Sequence, residues 1–257
     1  MINVGEMVAL EFLHDDLYIL GIIAIFCMVQ SVFGMGLLIF GTPTLIILDV
    51  PFLECLFYLI PASLTISLLQ LAPQGSLRNL NIGPSIPLLV IAVTAGFLLH
   101  MLPFDAIRLD GLIGVVLLCY GLARVFTRIG VIASEFVRHR YYSMLVMMGV
   151  LHGVSNMGGA ILAIVSSARF SDKTELRTFT AANYAVLAAS QLVLLLFEIE
   201  HKQIVGLLAS SLLALTVYTF VGKHMFGSIG TRQFHKLFTG FIFAYSAALL
   251  WKYFLTT

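Results

Sequence analysis

Gln30-Ser31-Val32-Phe33-Gly34-Met35-Gly36, followed by Gly41-Thr42-Pro43, interrupts a hydrophobic run in the first half of the chain. A second interruption, His152-Gly153-Val154-Ser155-Asn156-Met157-Gly158-Gly159, lies in the second half. Gly34 and Gly36 permit backbone angles that other residues avoid and leave their amides uncovered by side chains. Pro43 then limits regular hydrogen bonding in the returning segment. A helix that restarts after such a break turns unpaired N–H groups and the positive end of its dipole toward the gap, which suits an anion. Broken backbone at membrane depth is tolerated only where it is buried in protein or lines a cavity. A matching pair of breaks in two halves of one chain points to a transporter's binding site. The plainer alternative is that the glycines only let helices pack closely; two pairs at corresponding positions favour the binding reading.

The surroundings of both breaks are those of a membrane protein. The 257 residues are 60% hydrophobic and 11% charged, with a mean hydropathy of +1.03. A soluble core does not hide that much apolar surface. The net charge of +1 and the lack of a basic block argue against nucleic acid as a partner. Cys27, Cys55 and Cys119 are odd in number and fall inside apolar runs, so they read as small packing residues rather than a disulfide framework. Neither a cofactor nor a metal is expected. Glu6, Glu11, Asp15 and Asp16 precede the first apolar run, unlike the positive start of a secretory signal, so that segment reads as retained.

Eight apolar segments follow: 17–48, 52–72, 82–102, 111–126 (with a start as early as Ile107 left open), 142–168, 176–197, 203–222 and 237–255. Met35 and Gly36 map onto Met157 and Gly158 at an offset of 122, and Glu54 and Gln70 onto Glu175 and Gln191 at 121; Gly114 and Gly240 hold similar places in each half's last segment. This spacing argues for an internal duplication: repeat 1–126, cytoplasmic linker 127–140, repeat 141–257. Eight full crossings would divide the basic residues evenly between the two faces. If the broken segment of each half enters and turns back, eleven of the fourteen basic residues, including Arg78, Arg124, Lys173 and Lys236, share one face. Arg108, Lys202 and Lys252 remain on the other face with ten of the thirteen acids. That asymmetry favours an odd number of crossings per half and therefore inverted repeats. The expected fold is an all-α integral membrane protein of two homologous halves, each a glycine-broken re-entrant segment plus three transmembrane helices. Reporter fusions at Asp49 and Lys173 separate the alternatives, falling on opposite faces in the inverted arrangement and on one face with eight crossings.

The candidate substrate-binding residues are Gly34, Met35 and Gly36 at the first break and Ser155, Asn156, Met157, Gly158 and Gly159 at the second. Gln70, Asn183 and Gln191 join them because amides at membrane depth need partners in the protein interior, either substrate or another helix. His152 is the candidate for proton coupling, since no Asp, Glu, Lys or Arg lies near the centre of a span. Arg177 reads either as a guide for anions toward the second hairpin or, more simply, as a snorkelling surface arginine.

These stretches resemble the sulfite exporter TauE/SafE family of membrane permeases, which repeats a glycine-rich stretch, often ending in proline, near the start of each half. The counterparts here are Gly34-Met35-Gly36 with Pro43, and Gly149-Val150-Leu151-His152-Gly153 leading into Met157-Gly158-Gly159. Lys173-Thr174-Glu175-Leu176-Arg177-Thr178-Phe179-Thr180-Ala181 resembles the family's lead into the next helix. Leu37 stands where a further glycine is common, and Val165 where a proline would match Pro43. The resemblance implies secondary transport of a small sulfur-containing oxyanion, sulfite or an organosulfonate, across the plasma (inner) membrane. Alternating access would come from the repeats rocking about the site. The other partner is membrane lipid; direction, coupling ion and oligomeric state stay open. A membrane scaffold without substrate is the first alternative. An intramembrane hydrolase using Ser155 and His152 is a remote one, since they are neighbours on one turn and no G-x-S-x-G is completed.

Overall fold

A computed structural model describes residues 4–72, 82–101, 109–198 and 201–255. Among them every regular element is helical. The first interruption ends α1 (Val4–Phe33), and α2 (Leu37–Ile47) restarts with Gly36 as its cap. Gly34 and Gly36 have φ of 78° and 141°, a region that glycine enters at no steric cost. A Cβ built on Gly36 would lie 2.7 Å from Val29 Cγ1, and one on Gly41 would lie 3.6 Å from Phe26 Cδ2. In a straight helix, positions 26 and 41 would stand about 22 Å apart. The chain therefore doubles back, and α2 returns beside α1.

The second interruption does the same with different residues. α7 (Tyr141–Ser155) ends at Asn156, whose φ of 61° is left-handed, a conformation asparagine tolerates better than most side chains. A Cβ on Gly158 would lie 2.5 Å from the Met148 carbonyl oxygen and 2.6 Å from His152 Cβ. The chain thus returns along α7 before α8 (Gly159–Arg169) begins. Gly158 and Gly159 make room for this return, whereas Asn156 makes the turn.

The remaining helices are α3 (Phe52–Leu71), α4 (Ile86–His100), α5 (Leu109–Val125), α6 (Thr127–His139), α9 (Lys173–Leu195), α10 (His201–Val217), α11 (Lys223–Ser228) and α12 (Thr231–Leu255). A π-helical turn, Tyr218–Gly222, joins α10 to α11. Among the described residues, five stretches are long and apolar enough to cross a membrane: Phe52–Leu71, Gly83–His100, Lys173–Leu195, Gln203–Ser228 and Thr231–Phe254. The expected sixth crossing, α5, is shorter at 17 residues. Arg78 and Arg108, which enter the charge asymmetry, lie outside the described residues.

Two features go beyond the sequence reading, and one expectation, for Cys119, needs correction. The 127–140 connector is α6, a helix, because its apolar residues recur at helical spacing: Val131, Ile132 and Phe136 are exposed on one side while Val137 is buried. The helix of the first segment starts at Val4, well before the apolar run. Cys27 and Cys55 are buried as packing residues should be, but Cys119 faces outward.

The two halves interlock. The most extensive interfaces are α4 with α7, α5 with α12, and α3 with both α9 and α10, each joining one half to the other. Close approach of α4 and α7 depends on three glycines. A Cβ on Gly149 would meet Ala92 Cβ at 2.6 Å, one on Gly153 the Phe97 backbone nitrogen at 2.5 Å, and one on Gly96 the Val150 carbonyl. Gly149 and Gly153 therefore serve helix packing, as small residues do in membrane bundles. The hairpin tips lie at the centre: every residue from Gln30 to Pro43 and from Asn156 to Ala163 is buried.

Candidate functional site

The two breaks meet. Asn156 Nδ2 donates to Thr42 Oγ1 at 2.8 Å, tying the tip of the second hairpin to the returning helix of the first. Met35 and Met157 are 2% and 3% exposed, so neither break is turned toward lipid. Neither α2 nor α8 has a side-chain cap, and an α-helix leaves the N–H groups of its first turn without intrahelical acceptors. One helix, α9, backs both breaks. A Cβ on Gly34 would lie 2.8 Å from the Arg177 carbonyl oxygen and 3.3 Å from Thr180 Cβ, and Gly159 packs directly on the Tyr184 hydroxyl.

Around this junction, buried polar atoms lack partners. Both ring nitrogens of His152, Asn156 Oδ1, Asn183 Oδ1 and both amide atoms of Gln191 make no hydrogen bond. The Tyr184 hydroxyl faces the Ile39 backbone without reaching hydrogen-bond geometry. Leaving such a group buried and unsatisfied costs about 1–3 kcal/mol. A concentration of them is the feature a polar ligand would relieve.

The corresponding positions of the first half are satisfied except for Gln70 Oε1. Gln30 Nε2 donates to the Ser63 carbonyl and hydroxyl oxygens, both at 2.9 Å, and to Ser67 Oγ at 3.2 Å. Gln70 Nε2 donates to the Gln30 carbonyl at 2.8 Å, which also accepts from the Gly34 N–H, and to the Ser31 carbonyl at 3.1 Å, one of the last acceptors of α1. At the offsets of 121 and 122, Gln30, Ser63, Ser67 and Gln70 correspond to His152, Tyr184, Ala188 and Gln191. The set that binds itself in the first half is left unpartnered in the second.

The structure sorts the sequence candidates accordingly. Gly34, Met35, Gly36, Asn156, Met157, Gly158 and Gly159 come together at the two tips, with Asn183 on the helix behind them. His152 lies with its ring centroid 6.3 Å from that of Tyr184. Gln70 is engaged with α1, although its Oε1 has no partner. Ser155 Oγ donates to Leu151 O at 2.8 Å on its own helix, and no hydrogen bond joins it to His152. Asn183 Nδ2 likewise donates to Phe179 O at 2.8 Å, leaving its oxygen free.

Arg177 is not a snorkelling surface residue. It is 7% exposed and lies against the first break rather than the second. Its Nη1 donates to Ser31 O at 3.3 Å, its Cζ stands 3.4 Å from the Phe226 ring centroid, and its Nε has no partner. Among the described residues no carboxylate pairs with it. An ionisable group buried in this way within a membrane span is by default a functional candidate. Thr42 and Tyr184 were absent from the sequence candidates. The available signal was the helical spacing of Arg177, Thr180, Tyr184 and Gln191, which sets one polar stripe on α9.

No cluster of three metal-ligating side chains occurs among the described residues. No curated protein and no solved structure matches the chain. Residues 18–249 match the model of a family described as Sulfite exporter TauE/SafE, a stretch that contains both hairpins and the backing helix α9. The family's members are membrane transporters rather than enzymes. By that match over nearly its whole length, the chain belongs to the sulfite exporter TauE/SafE family.

Proposed function

We propose that this chain is a secondary permease of the plasma membrane for small sulfur-containing oxyanions, sulfite or short organosulfonates, bound where the two hairpins meet. The observation that carries the proposal is the set of unpartnered buried polar atoms on His152, Asn156, Asn183, Tyr184 and Gln191 beside two uncapped helix starts. The Gly34 and Met157 N–H groups are engaged with Gln30 O and Ser155 Oγ, so the amides of Met35, Gly36, Gly158 and Gly159 donate to the anion's oxygens, with the amide groups of Asn183 and Gln191 turning to donate when it is bound. Arg177 supplies positive charge at the first break. His152 is the group available to carry a proton. Gln70 and Ser155 hold the backbone of the breaks in place.

Repeats 1–126 and 141–257 are inverted, and the 127–140 connector is cytoplasmic with both termini outside. Two observations support this reading. Each hairpin doubles back, which leaves three crossings per half. Ser134 of α6, Ser171 before α9 and His235 of α12 also line one cavity; eight full crossings would put the first of these on the opposite face from the other two. Because the halves interlock through α3, α4, α5 and their partners, the moving units in alternating access are the hairpins against the long helices rather than one half against the other.

Purified protein in liposomes is expected to exchange sulfite and short sulfonates but not chloride, measured as isotope uptake against a preloaded anion. Failure to move any of a panel of sulfite, sulfate, thiosulfate and short sulfonates, with or without a pH gradient, would overturn the proposal.

A further inference from the structure

Away from the hairpin tips, where α5 and α8 end and α12 begins, a cavity of about 490 Å³ is lined by Tyr120, Arg124, Ser134, Ser167, Ser171 and His235, among others. Arg124 is held rigidly in it. Its Nε donates to Thr239 Oγ1 at 2.8 Å, Nη1 to the Tyr120 hydroxyl at 3.2 Å, and Nη2 to His235 Nδ1 at 3.0 Å. A guanidinium can only donate, so His235 Nδ1 is an acceptor, and its Nε2 carries the proton that bonds Ser171 O at 2.9 Å. The guanidinium also stands 5.0 Å from the Phe238 ring centroid, which fixes its plane.

Three of the five N–H groups of Arg124 are engaged, leaving two for a ligand. Among the described residues no carboxylate neutralises it. Asp172, beside Ser171, is turned away and accepts from the Thr174 and Glu175 backbone N–H groups at 2.8 and 3.0 Å. Glu135, beside Ser134, is exposed. Ser134 and Ser167 spend their hydroxyl protons on Val131 O and Ala163 O, both at 2.8 Å, so the donors that face an oxyanion here are the two free N–H groups of this unneutralised, positioned guanidinium, with the Ser171 hydroxyl at the cavity edge.

We propose that this cavity is a second oxyanion site, separate from the one between the hairpins, taking a small sulfate- or phosphate-like group. Two sources share that chemistry: a free oxyanion at the cytoplasmic mouth, or the phosphate headgroup of a lipid. Tyr120 connects the site to the second hairpin, because its hydroxyl donates to Ala163 O of α8 at 2.8 Å.

Calorimetric titration of the full chain, purified in detergent without phospholipid, tests the site with sulfate, inorganic phosphate and dihexanoyl phosphatidate. Arg124→Gln is expected to weaken binding by about tenfold or more, the loss expected for a charged hydrogen bond. Ser171→Asp leaves the arginine in place but adds a repelling charge, and it is expected to do the same. Asn156→Ala, which alters the site between the hairpins, should leave this binding intact, so failure of either site is told apart from failure of the other. Binding of the inorganic anions identifies the free ion as the ligand; binding of the phosphatidate alone identifies the lipid headgroup. No binding of any of the three, or binding unchanged in both Arg124→Gln and Ser171→Asp, overturns the proposal.

Discussion

Gly36→Leu is expected to lower sulfite flux by about tenfold or more while the protein still reaches the membrane. A leucine would have to adopt φ near 141° at a position where its Cβ stands 2.7 Å from Val29 Cγ1. Strained backbone of this kind costs about 1–3 kcal/mol. The chain relieves it by rotating the cap and pushing α2 away from α1, which moves the first-turn N–H groups from where the anion is held. Gly240 provides the control, since a Cβ there meets nothing within 4 Å; Gly240→Leu should retain flux. The measurement is isotope uptake by liposomes, with size-exclusion profiles showing that each variant is folded. A scaffold without a substrate predicts the reverse, with assembly lost and no flux to lose. Full flux in folded Gly36→Leu would show that the first break is not part of the path.

The second large effect is expected at Asn156, where conformation and chemistry can be separated. Alanine loses the 2.8 Å hydrogen bond to Thr42 and must hold φ of 61°. Those losses are about 0.5–1.5 and 1–2 kcal/mol respectively. Asn156→Ala should therefore lower thermal stability and reduce flux by about tenfold or more. Asn156→Gly restores the freedom to turn but not the amide, so most of the stability should return while flux does not. If the glycine variant transports normally, Asn156 is a turn residue only and its side chain plays no part in binding.

Both breaks were legible because glycine pairs stand out inside apolar runs, and the offset between the halves was visible in the same residues. What escaped notice depended on contacts between distant segments. Arg177 lies 146 positions from Ser31, and only packing of the start of α9 against the end of α1 reveals that it is buried at the first break. Gln70 needs a partner, either substrate or another helix, because an amide in a membrane must be satisfied, and nothing local says that this partner is the end of α1. Asn156 was chosen for its amide, yet it also makes the turn, a role the sequence suggested for the glycines after it. The connector reads as a polar linker because its charged residues mask apolar residues that recur at helical spacing. Tyr184 is not among the sequence candidates, and only the fold sets Gly159 against its hydroxyl.

Met35→Cys and Met157→Cys test the central claim most directly, because these residues mark the two tips and are themselves buried. Each variant is reacted with a small water-soluble thiol reagent in liposomes, with and without methanesulfonate, a sulfonate that does not itself consume the reagent, and modification is followed by mass. If amides at both tips hold the anion, methanesulfonate slows modification at both positions and an equal concentration of chloride does not. Modification at either position that is indifferent to methanesulfonate would contradict the shared site.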